Sequence, residues 1–253
     1  MNPRITDWQG RRVWLLGASA GIGAALAREL HRRGARLALS ARASSRLAAL
    51  AAELPGALVC PCDATDPEAL AQVAAELQEH WGELDLAVYL AGDYRPLRVA
   101  GFAAGPALAL LEVNYAGAVR FTAAVLPRLA PAGGIALFAS VAGYRALPKA
   151  LGYGPAKAAL IHFAEGLHLE LAEQGYGVWL INPGFVATRL TAANDFAMPA
   201  LLTPEQAAVF TVDGLAGGKF EITYPRRFTV WLKLLRCLPY RLYFPLVRRL
   251  TGG

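Results

Sequence analysis

The chain predicts a doubly wound α/β domain, a mostly parallel seven-stranded sheet with helices on both faces, and three observations carry that expectation. Short apolar runs alternate with longer alanine-rich stretches over the first two hundred residues, the pattern of repeated strand–helix–strand units. The runs are almost continuously apolar instead of alternating, as strands covered on both faces require. At 253 residues, 55% hydrophobic and 17% charged, the chain can bury one sizeable core without disulfides or metal.

The elements follow in order. Strands are expected at 12–16, 37–40, 58–61, 86–90, 134–139 and 177–181, and FEITY at 220–224 completes the seven. Between them the periodicity predicts helices over 22–33, 44–53, 67–80, 105–129, 153–174 and 204–216. The last begins TPEQ, with Thr203 as N-cap, Pro204 at the first helical position and Gln206 closing a capping box. There is no internal repeat, and the composition breaks only near residue 225. This divides the chain into a body, 1–225, and an extension, 226–253.

The first strand runs into GASAGIG, which places Gly17, Gly21 and Gly23 at the mouth of the first helix, with Ser19 and Ile22 between them. A side chain at the glycines would block the tight turn, the approach of backbone to diphosphate oxygens or the packing of helix on strand. The helix N-terminus offers free N–H groups and a positive dipole. A Rossmann-like dinucleotide site is expected over a mere structural turn, because the glycines stand in the required strand–turn–helix context. At the end of the second strand, where an acid accepts from the ribose of NAD, the chain has Ser40, Ala41 and Arg42. A guanidinium there suits a 2′-phosphate, so NADP(H) is expected over NAD(H). An ordinary solvated arginine is the alternative, since the glycine loop has Ala20 and no second base.

Tyr153 and Lys157, in YGPAK, share one helix face at i, i+4. A phenol is a poor acid–base group near neutral pH unless a cation stabilises its phenolate, and Lys157 can be that cation. Nine tyrosines and four lysines give about 0.14 such pairs by chance, and a serine at the offset of Ser140 has a chance of about 0.02. Together they are poorly explained by accident.

In order and spacing, GASAGIG at 17–23, Asp63, the AG at 91–92, Asn114 in LEVNYAG, Ser140, YGPAK and PGFVAT at 183–188 resemble the short-chain dehydrogenase/reductase family. The resemblance implies hydride transfer between a nicotinamide and a carbonyl or alcohol. Tyr153 would be the acid or base, and Ser140 would stabilise the substrate oxygen. Lys157 would hold the nicotinamide ribose and lower the pKa of Tyr153, and Asn114 would hold a water in a proton relay. It also implies that Asp63, with neighbouring Ala64, meets the adenine and that Ala91 and Gly92 let the adenosine side approach. Pro183, Gly184, Val186 and Thr188 would frame the nicotinamide. Subunits of the family pair, so a homodimer or homotetramer is expected. The chain departs from the family at Tyr89-Leu90, where a bracing amide is replaced, and at Leu16. Pro155 is tolerable only in the first turn of its helix. Two rival readings use the same residues: a cofactor-binding scaffold without catalysis, and an epimerase or dehydratase.

No metal is expected. Cys60 and Cys62 lack further ligands, Cys237 stands apart, and the four histidines are scattered. The start MNPRITDWQGRR has no apolar signal core, and no uncharged run is long enough to span a bilayer, so a cytoplasmic location is expected. The net charge of +6 is uneven: residues 1–218 carry 17 bases against 18 acids, and 219–253 carry eight bases against Glu221 alone. In the extension Trp231, Leu234, Leu235 and Leu238 share one helical side and Lys233 and Arg236 the other, with Pro239 and Pro245 dividing it into short pieces. Such a segment either lies on an anionic bilayer surface, at the inner face of a membrane, or packs on the domain or on a partner subunit. Nucleic acid is not an expected partner. The loop 191–203, with Phe196, Met198, Leu201 and Leu202, points to an apolar, lipid-like ketone, aldehyde or alcohol as substrate.

Overall fold

In the computed structural model, which describes residues 1–42, 45–193 and 198–251, seven strands form one sheet. They are β1 (Arg12–Leu16), β2 (Arg36–Ser40), β3 (Leu58–Val59), β4 (Leu84–Tyr89), β5 (Leu129–Phe138), β6 (Gly177–Pro183) and β7 (Glu221–Tyr224). The order is β3-β2-β1-β4-β5-β6-β7 and every pairing is parallel. The chain winds outward from β1 to β3, then returns to the other side of β1. The crevice at the carboxyl ends of β1 and β4, where the order reverses, is where such a sheet receives a ligand.

Successive side chains on a strand point to opposite faces, and β1 shows this directly. Val13 and Leu15 enter one apolar cluster, and Trp14 and Leu16 enter the other. The first cluster is covered by α1 (Gly21–Arg32), α2 (Ser45–Glu53) and α7 (Pro204–Ala216), and the second by α3 (Pro67–Trp81), α5 (Gly117–Val125) and α6 (Tyr153–Ala172). Trp14, fully buried, packs against Phe121 with ring centroids 4.7 Å apart, and burial of a side chain this large stabilises by roughly 2–3 kcal/mol. Helix ends follow local chemistry. The Asp66 carboxylate accepts from the N–H groups of Glu68 and Ala69, both at 3.0 Å, ahead of Pro67 at the first position of α3. The capping box of Thr203 and Gln206 on α7 forms as expected.

Four expectations need correction. The third strand is confined to Leu58–Val59, although Cys60 and Cys62 still donate to the carbonyls of Leu39 and Ala41. The fifth begins at Leu129 and takes up Pro131 to Gly133 through a register shift. The long helix expected over 105–129 is instead α4 (Ala104–Leu111), a π-helical turn (Glu112–Ala116), α5 and a 3₁₀ turn (Leu126–Arg128). Two side chains explain the π turn. The Asn114 amide donates to the Leu110 carbonyl at 2.9 Å, and the Tyr89 hydroxyl donates to the Val113 carbonyl at 2.6 Å. Gly117 N–H therefore bonds to Glu112, one residue further back. Tyr89 thus supplies a polar brace at the position where the bracing amide of the resemblance is replaced.

The fourth correction concerns the extension. It folds as two helices, α8 (Arg226–Arg236) and α9 (Tyr240–Thr251), separated at Pro239 alone. Pro245 lies inside α9 on its exposed side, where the carbonyl one turn back can face water. Thr229 is buried and Phe228 and Leu232 pack on the body, while Lys233 turns inward to pair with Glu221 of β7. Trp231 and Leu234 point to solvent, so this side does not pack on the body as one of the two sequence readings had it.

Candidate active site

The glycine loop is built by the ends of β1 and β2. The Ser40 carbonyl accepts from Gly17 N–H at 2.7 Å and from Ala18 N–H at 3.1 Å, which folds the chain sharply into α1. Gly17 has φ of +103°, and a Cβ there would lie 2.6 Å from the Ala91 nitrogen. A Cβ on Gly23 would strike the Gly17 carbonyl. Both glycines therefore keep backbone against backbone at the mouth of α1, the geometry that a diphosphate requires.

The loop opens into a cleft of about 830 Å³. Its walls bring together Gly17, Ser19, Gly21, Ile22, Gly23, Arg42, Asp63, Ala64, Ala91, Gly92, Asn114, Ser140, Tyr153, Lys157, Pro183, Gly184, Val186 and Thr188, every expected site residue except one. Ser40 is the exception. It is fully buried, its hydroxyl accepts from the Trp14 indole at 2.8 Å and donates to the Cys60 carbonyl at 2.6 Å, and so it braces the loop from behind.

Tyr153 opens α6, and Pro155 falls in its first turn, where the missing N–H costs nothing. One turn on, Lys157 is 4% exposed, donates to the Phe138 carbonyl at 2.8 Å and sits 5.6 Å from the centre of the Tyr153 ring. Burial pushes the Lys157 amine down to about 7 and the Tyr153 phenol up to about 12, the latter opposed by a hydrogen bond with Ser140. Both groups are thus drawn toward their neutral forms. Ser140, two residues past the end of β5, caps a short 3₁₀ turn, its Oγ accepting from Ala142 N–H at 3.1 Å.

Asn114 is fully buried at the centre of the π turn, its amide donating to the carbonyls of Leu110 and Asp93 at 2.9 Å. Its Oδ1 has no partner among the described residues. That oxygen and Lys157 Nζ converge on Gly92, lying 2.8 and 3.7 Å from the position a Cβ would take there. A buried acceptor and an amine around a side-chain-free gap fit a polar guest.

Sequence reasoning missed several cleft residues. Arg46, in the first turn of α2, follows Arg42 by four positions, a spacing that was readable. Arg95 pairs with Asp93 at 3.5 Å, and behind the wall Tyr94, which does not line the cleft, stands edge-on to Tyr153 at 5.1 Å. Thr191 ties down the last segment, accepting from Thr188 N–H at 2.9 Å and donating to the Val186 carbonyl at 2.7 Å. The Asp63 carboxylate accepts from Thr65 N–H and Oγ1, which with the charge of Arg42 holds it below the usual carboxylate range. Cys60 and Cys62 are buried and burial raises both thiols; no metal-binding cluster occurs among the described residues. Of the loop expected to face the substrate, Leu202 turns into the core, bridging to Val186, and Phe196 lies outside the described residues.

Residues 11–197 match the family described as short chain dehydrogenase. The chain belongs to the short-chain dehydrogenase family. A Myxococcus xanthus protein described as an uncharacterized oxidoreductase is 32% identical over 97% of this chain and 100% of its own. A dehydrogenase/reductase of Sinorhizobium meliloti superposes with a TM-score of 0.78 at 25% identity, over 86% of this chain and 94% of that one. A short chain dehydrogenase of Burkholderia cenocepacia, solved in complex with NADP, gives 0.77 at 26% identity over 86% and 89%. A Burkholderia phymatum relative, solved with NAD, shares the fold with a TM-score of 0.83 at 20% identity over 91% and 94%. This short-chain dehydrogenase is accordingly an oxidoreductase of the CH–OH/C=O type whose fold accepts a nicotinamide dinucleotide, and its glycine loop and its Gly92 gap fit such a guest.

Proposed function

We propose that the chain is an NADP(H)-dependent reductase or dehydrogenase that interconverts a carbonyl and an alcohol on an apolar, lipid-like substrate, with Tyr153 as acid/base. The observation that carries this reading is the convergence of Asn114, Ser140, Tyr153 and Lys157 on the cleft that the glycine loop opens. When bound, the dinucleotide supplies or accepts the hydride. Tyr153 gives its proton to the carbonyl oxygen, or takes it from the alcohol, and the Ser140 hydroxyl holds the same oxygen as charge develops. Lys157 and Asn114 Oδ1 face one gap, so a proton can reach Tyr153 through a water held between them.

NADP(H) is favoured by two guanidinium groups, Arg42 and Arg46, on the cleft wall beyond β2, where no carboxylate stands among the described residues of 40–46. Ala109, Val113 and Leu190 on the cleft wall support an apolar substrate. Exposed Leu108 of α4 and Leu169 of α6 offer apolar surface for a homodimer or homotetramer.

The test measures NADPH and NADH binding and follows nicotinamide absorbance over apolar ketones, aldehydes and alcohols. Tyr153→Phe should lower turnover on the order of a thousand-fold while sparing NADPH binding; retained turnover would sink the mechanism. Arg42→Ala should weaken NADPH more than NADH, and equal losses would remove the cofactor assignment.

A further inference from the structure

The two C-terminal helices pack one set of apolar side chains on the body and leave a second set exposed. Inward, Tyr243 and Val247 of α9 are buried, and the Tyr243 hydroxyl donates to the Ala146 carbonyl at 2.6 Å. Arg145 clasps both helices: it donates to the carbonyls of Leu235 and Arg236 at the end of α8 and lies 4.0 Å from the ring centre of Tyr243. At the root of α8, Phe228 packs on Phe185, with ring centres 5.5 Å apart. The orientation of the helices is therefore set by the body.

Outward, Val230, Trp231 and Leu234 of α8 and Leu242 and Phe244 of α9 are exposed, Trp231 at 68% and Phe244 at 50%. Around them stand Arg226, Arg227, Arg236, Arg241, Arg248 and Arg249, all exposed, and the sequence contains no acid after Glu221. A solvated surface does not call for a bulky apolar stripe, whereas apolar side chains flanked by bases fit the boundary between headgroups and acyl chains. Two copies pairing symmetrically through this face would bring their bases together, which the charge opposes.

We infer that α8 and α9 form a docking surface for an anionic lipid bilayer. This inference is independent of the reaction proposed above.

Full-length protein is sedimented with vesicles of phosphatidylcholine, with and without phosphatidylglycerol. Binding is expected to the anionic vesicles and not to the neutral ones. Trp8, Trp14, Trp81 and Trp179 are at most 8% exposed, so a blue shift of tryptophan emission on binding reports Trp231. Arg248→Gln with Arg249→Gln should weaken binding roughly 25-fold, at about five-fold for each base near the surface. Trp231→Ser with Phe244→Ser should remove the residual binding and leave the thermal transition in place. If those serines unfold the chain, the arginine variant and the emission shift still decide. Three results would overturn the inference: no sedimentation of folded protein with anionic vesicles, binding to duplex nucleic acid in preference to vesicles, or an oligomer that the serine variant dissociates.

Discussion

Lys157 makes the stability of the protein depend on pH in a way that can be measured without any substrate. Its amine is buried, its hydrogen bond goes to the Phe138 carbonyl, and burial alone lowers its pKa from the ordinary 10.5 to about 7. In the unfolded chain the amine keeps its proton up to about pH 10.5, whereas the folded chain releases it near pH 7. Between those values the unfolded state binds more protons, so this group's contribution to stability rises with pH across the window; below pH 7 its destabilising effect is complete. At 1.36 kcal/mol for each pKa unit the whole effect is about 5 kcal/mol, of which about 3 kcal/mol falls between pH 6 and pH 9. Lys157→Met keeps the length of the side chain and removes the titration. Urea denaturation of both proteins at pH 6, 7, 8 and 9 isolates the lysine, because all other groups titrate alike in the pair. The methionine variant should be the more stable at pH 6, and its advantage should shrink by about 3 kcal/mol by pH 9. An advantage that stays constant to within about 1 kcal/mol over this range would refute the assignment of Lys157 as a buried amine without a counter-ion among the described residues.

Two further outcomes follow from the same geometry. Tyr89→Phe removes the hydroxyl that bonds to Val113 and should cost about 1–2 kcal/mol in urea denaturation. It should also lower turnover, because the π turn that it braces positions Asn114; unchanged turnover and stability would show that the turn does not depend on it. Gly23→Ala would drive a methyl group into the Gly17 carbonyl and should weaken dinucleotide binding at least ten-fold, with a destabilisation of about 1–3 kcal/mol, as measured by titration and thermal melting.

Much of the site was readable because its signals are local. A glycine that must avoid a Cβ, a tyrosine and lysine one helical turn apart, and a serine ending an apolar run each depend on neighbours a few residues away. Ser40 misled for the opposite reason. Its position after β2 was right, but the direction of its hydroxyl depends on Trp14 and Cys60, which arrive from other strands. The π turn was likewise invisible, since helical propensity is a property of 105–129 whereas the bond from Tyr89 comes from β4. The extension followed the same rule. Periodicity found its two sides, but Glu221 on the sheet drew Lys233 inward and left Trp231 outside.

By itself, then, the sequence determined the seven-stranded doubly wound fold, the glycine turn and the helical pairing of Tyr153 with Lys157, because strand and helix periods and backbone sterics are short-range constraints. Tertiary structure alone decided how far burial shifts Tyr153 and Lys157, that Asn114 Oδ1 and Lys157 face one gap at Gly92, and which side of the C-terminal helices meets solvent. Each of these is set by groups distant in the chain, whose desolvation and charge act only once the sheet has brought them together.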